Sequence, residues 1–227
     1  MYPEHIQSRT SKSTSSRSWR TPSTAIRAFV WVLPWWLLVC LPRSLSAEDA
    51  APWYVYRDAG APENHGLWSN VVPAPAGNQM PRIDLADRTG PASGASAIRI
   101  DIAFASAGWC GIAVASNAGY WGDRPGDGFD LRRARALLFR ARGAVGGERI
   151  RVKAAVAGDQ PFGDSAPLPI DSGWLRLSAD WREYRVDTDG RDLSRVITPF
   201  MLIANRKQNP SGRLTIFLDD VRYEMAP

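Results

Sequence analysis

The sequence predicts an all-β protein: an antiparallel two-sheet β-sandwich behind an N-terminal signal segment. Three observations carry this. Several short runs alternate apolar and polar residues with period two. Gly-, Pro- and Asn-rich turn sequences separate those runs. No convincing long helix interrupts them, and short strands at such spacing suit a sandwich.

Residues 1–27 are rich in Ser, Thr and Arg. The apolar run Ala28–Leu41 follows, then Arg43 and the small residues Ser44-Leu45-Ser46-Ala47. This order reads as a secretory signal cleaved near Ala47. An uncleaved signal anchor is the alternative, but the run is short for a span, which needs about 20 residues. The expected domains are therefore a leader, 1–47, and one sandwich domain, 48–227, secreted or periplasmic. The leader carries six basic residues against one acid, the whole of the formal +5 charge. The remaining 22 basic and 22 acidic residues cancel, which together with export argues against a nucleic-acid partner. Only Cys110 remains after cleavage, so no internal disulfide is expected.

The strands follow in order. Ile98, Ile100, Ile102 and Phe104 alternate with Arg99, Asp101 and Ala103. Cys110, Ile112 and Val114 share one parity, and Gly111, Ala113 and Ala115 the other. The stretch Leu131–Arg142 has helical propensity but alternates at Leu137, Phe139 and Ala141. A turn over Leu131–Ala134 and a strand from Arg135 are expected. Arg149–Ala154 alternates again, with its basic residues on one face. Leu175 and Leu177 flank Arg176, and Tyr184 and Val186 alternate with charged neighbours. Phe200–Ala204 is continuously apolar, which suits a strand buried on both sides. In the last run Leu214, Ile216 and Leu218 share one parity while Val221 and Tyr223 share the other. The slip falls on Asp219-Asp220 and predicts a β-bulge.

The order Trp181-Arg-Glu-Tyr184-Arg-Val-Asp187, Asp192-Leu-Ser, Phe200 and Thr215-Ile-Phe-Leu-Asp-Asp-Val-Arg-Tyr223 carries a resemblance. Upstream, Asp130-Leu131, Ala136–Gly143, Gly147-Glu148 and Asp171-Ser172 belong to the same pattern. Together they resemble the galactose-binding-like jelly-roll domains that serve as carbohydrate-binding modules in secreted glycoside hydrolases. The resemblance implies a polysaccharide or oligosaccharide partner. It also implies a structural Ca2+ between the start of the domain and its last strand. The matching acids are Asp58 and Asp219 or Asp220. The alternative reading of Asp219-Asp220 is a hydrogen-bonded bulge that binds nothing. The pattern departs after Trp109-Cys-Gly111, where a second aromatic is missing.

Sugar recognition needs flat aromatic faces for C–H surfaces, with charged and amide groups for hydroxyls. Tyr120-Trp121-Gly-Asp123-Arg124, in a Gly/Pro loop, offers this mix; Trp121 is the leading candidate, with packing under the loop as its alternative. Trp109, beside Gly111 and Ala113, suits either the core or the floor of a shallow groove, and Trp68 is a similar candidate. Trp53, Trp174 and Trp181 begin strands and read as core or edge packing. Arg140, Arg142, Arg149, Arg151 and Lys153 would make a cationic stripe if their strands pair, suited to an acidic glycan or an anionic envelope surface. Otherwise they are solvated faces. His65 is the only histidine after the leader, and no nucleophile elbow is present. The expected function is non-catalytic carbohydrate binding. The alternatives are a glycan-active enzyme on the same fold, using two carboxylates, and a structural module with an envelope or enzyme partner protein.

Overall fold

Eleven strands make up the sandwich in a computed structural model that describes residues 50–72, 79–104, 108–188 and 190–227. All of these fall in one compact unit, Leu45–Pro227. The expected signal segment, 1–47, lies outside the described residues. In chain order the strands are β1 (Ala50–Tyr56), β2 (Leu67–Val72), β3 (Arg82–Asp87) and β4 (Ala97–Ala103). Next come β5 (Trp109–Ala115), β6 (Ala134–Gly143), β7 (Arg149–Ala154) and β8 (Ile170–Arg176). The last three are β9 (Arg182–Asp187), β10 (Phe200–Asn205) and β11 (Arg213–Met225). Among the described residues there is no helix, so none is long and apolar enough to cross a membrane.

The first sheet runs β3-β4-β11-β6-β9, with β1 also paired to β11; the second runs β2-β5-β10-β7-β8. All pairings between these strands are antiparallel. The alternating residues meet between the sheets. Ile98, Ile100, Leu137, Phe139, Ile216 and Leu218 come from the first sheet and are fully buried. Ile112, Val114, Ile150, Val152, Phe200 and Leu202 answer them from the second. Period-two alternation places each set on one face, and burying such a side chain is worth about 1.5–3 kcal/mol.

The bulge in the last strand is present. Between Asp219↔Arg140 and Arg222↔Leu138 strand β11 advances one residue more than β6. Asp220 takes a positive φ of 51° to do so. The bulge lets β11 pair with β4 in its first half and with β1 in its second. Behind it, the Tyr223 hydroxyl donates to the Pro199 carbonyl at 2.7 Å, tying β11 to the approach of β10 in the opposite sheet. The Leu131–Arg142 ambiguity resolves as a turn, closed by Ala134 N–H to Leu131 O, and then strand β6.

The cationic stripe does not form. Strand β6 belongs to the first sheet and β7 to the second, because the Ala144–Glu148 connection crosses between sheets instead of closing a hairpin. Arg140 and Arg142 therefore sit apart from Arg149, Arg151 and Lys153. Arg142 packs over the Phe217 and Trp181 rings, at 3.8 and 5.2 Å from their centroids. Trp181 also donates from Nε1 to the Gly90 carbonyl. That outer face is occupied by its own side chains and the loop before β4.

Candidate functional site

The outward face of the second sheet is set by its register. Ile112, Leu202 and Ile150 point into the core, so their neighbours Gly111, Ile203 and Arg151 point out. The pairing Gly111↔Ile203↔Arg151↔Trp174 puts these four in one row across the sheet. Ala113, Met201, Lys153 and Asp171 form the next row. Trp109, opposite Asn205, lies toward the other side, and Trp109 is 39% exposed. Gly111 and Ala113, on the same strand as Trp109, are buried.

A local irregularity in β8 assembles one edge of this face. From Arg151↔Trp174 to Lys153↔Asp171, strand β7 advances two residues and β8 three. In a regular strand residues three apart point to opposite faces. The extra residue puts Asp171 and Trp174 on the same one. Gly173 takes φ of 65°, and the Ser172 hydroxyl oxygen accepts the Val152 N–H that the ladder would have used. Asp171 then accepts from Arg151 Nε at 2.6 Å and from Arg151 Nη2, and pairs with Lys153 Nζ at 3.3 Å. The Gly173 N–H donates to it as well. Burial alone would raise the Asp171 carboxyl. The Arg151 and Gly173 hydrogen bonds and the two cationic charges outweigh burial and hold it below the usual carboxylate range.

This face presents two indole rings and a fixed Arg–Asp–Lys cluster. Indoles offer apolar planes for sugar C–H surfaces. The cluster offers donors and acceptors for hydroxyls in set directions.

The other sequence candidates go elsewhere. Tyr120 is 1% exposed; its hydroxyl donates toward the Phe162 and Arg124 carbonyls and accepts from Arg195. It anchors two loops from inside and presents no ring face, because the Gly/Pro loop folds over it. Trp121 is half-buried at the end of β5 opposite Trp109, and Asp123 pairs with Arg124 in an exposed contact at 3.1 Å. Trp68 packs inward on Tyr56 and Phe200, at 5.5 Å from the Phe200 ring, so it belongs to the core. The sequence offers Arg151 and Lys153 only as part of a cationic stripe, and it does not single out Trp174 or Asp171 as site residues. Their signal was available: Leu175 and Leu177 as core residues force Trp174 and Arg176 outward.

The implied calcium ligands divide. Asp219 Oδ2 accepts the Ala92 and Ser93 N–H groups at 2.8 and 2.9 Å. Asp58 Oδ1 accepts those of Ala95 and Ser96 at 2.7 and 2.9 Å. Asp220 turns to Arg222, at 2.5 Å, and to Arg140. Among the described residues no three His, Cys, Asp or Glu side chains come together to hold a metal. Calcium takes six to eight oxygen ligands, whereas this loop offers amide hydrogens to both carboxylates. The set fits a loop clamp and not a calcium. His65 and Cys110 both sit in packing contacts. His65 stacks on Trp53 at 4.5 Å with Nδ1 3.0 Å from the Tyr54 carbonyl. Cys110 is buried, which pushes its thiol up to about 11.

No protein-family model and no curated protein matches the chain. Solved structures do. One is a family 30 carbohydrate-binding module, 15% identical, with a TM-score of 0.52 over 78% of this chain and 89% of that one. Another is the family 11 carbohydrate-binding module of a cellulosomal cellulase of Clostridium thermocellum. It is 10% identical, with a TM-score of 0.51 over 78% of this chain and 95% of that one. The fold is thus the β-sandwich of carbohydrate-binding modules, as the sequence resemblance implied. At these identities the likeness is one of fold.

Proposed function

We propose that this chain is a non-catalytic carbohydrate-binding domain that holds a glycan across the outer face of β5, β10, β7 and β8. The observation that carries the reading is the placement of Trp109 and Trp174 on one face with Arg151, Asp171 and Lys153 beside them. The rings stack on sugar and the charged cluster fixes its orientation. The fold shared with carbohydrate-binding modules supports this reading. Export is part of the same proposal and rests on the leader sequence. It is checked by the N-terminus of the protein recovered outside the cytoplasm.

The test is affinity electrophoresis of the protein in native gels cast with single polysaccharides, against the Trp109→Ala, Trp174→Ala and Trp121→Ala variants. Retardation lost in the first two and kept in the third supports this face. Retardation lost only in Trp121→Ala moves the site to the loop. A folded protein that no polymer retards overturns the reading, and an interaction module then leads.

A further inference from the structure

The binding face ends in a charge arrangement that its own fold does not neutralise. Arg149 on β7 and Arg176 on β8 are direct cross-strand partners. Like charges directly opposite in an antiparallel pair are destabilising. Arg176 also lines a cleft of about 550 Å³ at the corner between β8 and β9, with Arg182, Tyr184, Gly146, Gly147 and Ser178. Among the described residues no acidic side chain pairs with Arg149, Arg176 or Arg182. Nearby arginines behave otherwise: Arg151 holds Asp171, Arg185 holds Glu224, and Arg222 holds Glu183 and Asp220. Arg149 makes one side-chain contact, to the Gln208 amide oxygen at 3.2 Å. Arg176 and Arg182 remain exposed.

We propose that Arg149, Arg176 and Arg182 form an anion subsite that takes the carboxylate of a uronic-acid residue in the bound glycan. This rests on the carbohydrate-binding reading and names its substrate class. Three points carry it. Arg176 follows Trp174 by two residues and shares its outward parity, so a sugar stacked on Trp174 has its neighbour over Arg176. A guanidinium presents a planar fork that matches a carboxylate. The corner cleft gives the carboxylate a recess that the open face lacks, with the Tyr184 ring at its wall. One bound carboxylate would relieve the Arg149–Arg176 repulsion.

The experiment uses the protein with polygalacturonate, fully methyl-esterified polygalacturonate, a neutral β-glucan and a sulfated carrageenan. Binding is measured by calorimetry at low and at physiological salt. The expected result is binding to polygalacturonate about tenfold or more tighter than to its methyl ester. Arg176→Gln and Arg182→Gln each remove most of that preference. Arg176→Gln also leaves the melting temperature unchanged or raised, because it ends a like-charge contact. Equal binding of acid and ester, or binding of the neutral glucan alone, overturns the uronate subsite and leaves the carbohydrate-binding reading standing. Carrageenan binding as tight as that of polygalacturonate overturns the assignment to a carboxylate. Absence of binding to all four polymers by a folded protein overturns both.

Discussion

Trp109 and Trp174 stand on the same face of one sheet, on β5 and β8, with β10 and β7 between them. Three interstrand steps and a two-residue offset along the strands separate them by about 16 Å. That spacing spans several sugar units of an extended chain. Each ring should therefore contribute separately. Trp109→Ala and Trp174→Ala are each expected to weaken glycan binding about tenfold, in keeping with an aromatic contact plus its buried area. The double variant should abolish retention. Circular dichroism should show the sandwich intact in all three, since neither ring belongs to the core cluster.

Tyr120 and Asp164 have the opposite role. Asp164 is 6% exposed and accepts four hydrogen bonds, from the N–H groups of Ala157, Ile197 and Thr198 and from the Thr198 hydroxyl. Asp164→Ala strands those donors in the interior. It should cost about 3 kcal/mol or more, a fall of about 10 °C in melting temperature. Tyr120→Phe removes the hydroxyl from Arg195 and two carbonyls and should cost about 1–2 kcal/mol. Calorimetry of both should show unchanged glycan affinity in whatever fraction remains folded. Lost affinity in folded Tyr120→Phe would bring the loop back as a site.

Asp171 gives the stability a defined dependence on pH. Its carboxyl is held below the ordinary range in the folded protein. The stabilisation is therefore present above the unfolded value of about 4 and disappears as the pH falls through the lower folded value. Thermal melts of the wild type should lose more between about pH 5 and pH 2 than those of Asp171→Asn. Glycan retention should hold down to about pH 5, where the Arg151–Asp171 pair is still ionised. A parallel fall in wild type and variant would show that Asp171 contributes no linkage.

Calcium should not change the stability. Asp58 and Asp219 are supplied with backbone N–H donors from residues 92–96, and Asp220 is held by Arg222 and Arg140. Melting curves in about millimolar Ca2+ and in chelator should superimpose. A rise of several degrees with Ca2+ would mean that the loop reorganises to present carbonyls. Asp219→Ala should destabilise in both conditions, because the part-buried amides of Ala92, Ser93 and Asp220 lose their acceptor.

The fold was legible wherever a strand buries one face. Ile98 to Phe104 and Tyr184 to Val186 alternate because the sandwich interior lies on one side of each, whereas β5 is buried on both faces from Cys110 on. The slip at Asp219-Asp220 was equally visible as a change of parity. Strands β1 and β3 were not: most of β3 faces solvent, and β1 mixes exposed and buried residues without alternation. The site was less legible. Tyr120 has the residue type and the loop setting of a sugar platform, yet it is buried by contacts with segments 42 and 75 residues away. In the sequence Trp174 reads as the beginning of a strand, a position of core or edge packing, and the irregularity that sets it beside Asp171 depends on pairing with β7.

By itself, then, the sequence determined the class of fold, the strands of the core and the bulge in the last one. These follow from local periodicity, which each segment carries in its own residues. Only the tertiary structure decided which outward residues become neighbours. It sent β6 and β7 to different sheets, split the basic residues between two faces and brought Trp109 within one surface of Trp174 and Asp171. Strand order and the β8 irregularity set those relations, and both depend on pairings between segments far apart in the chain.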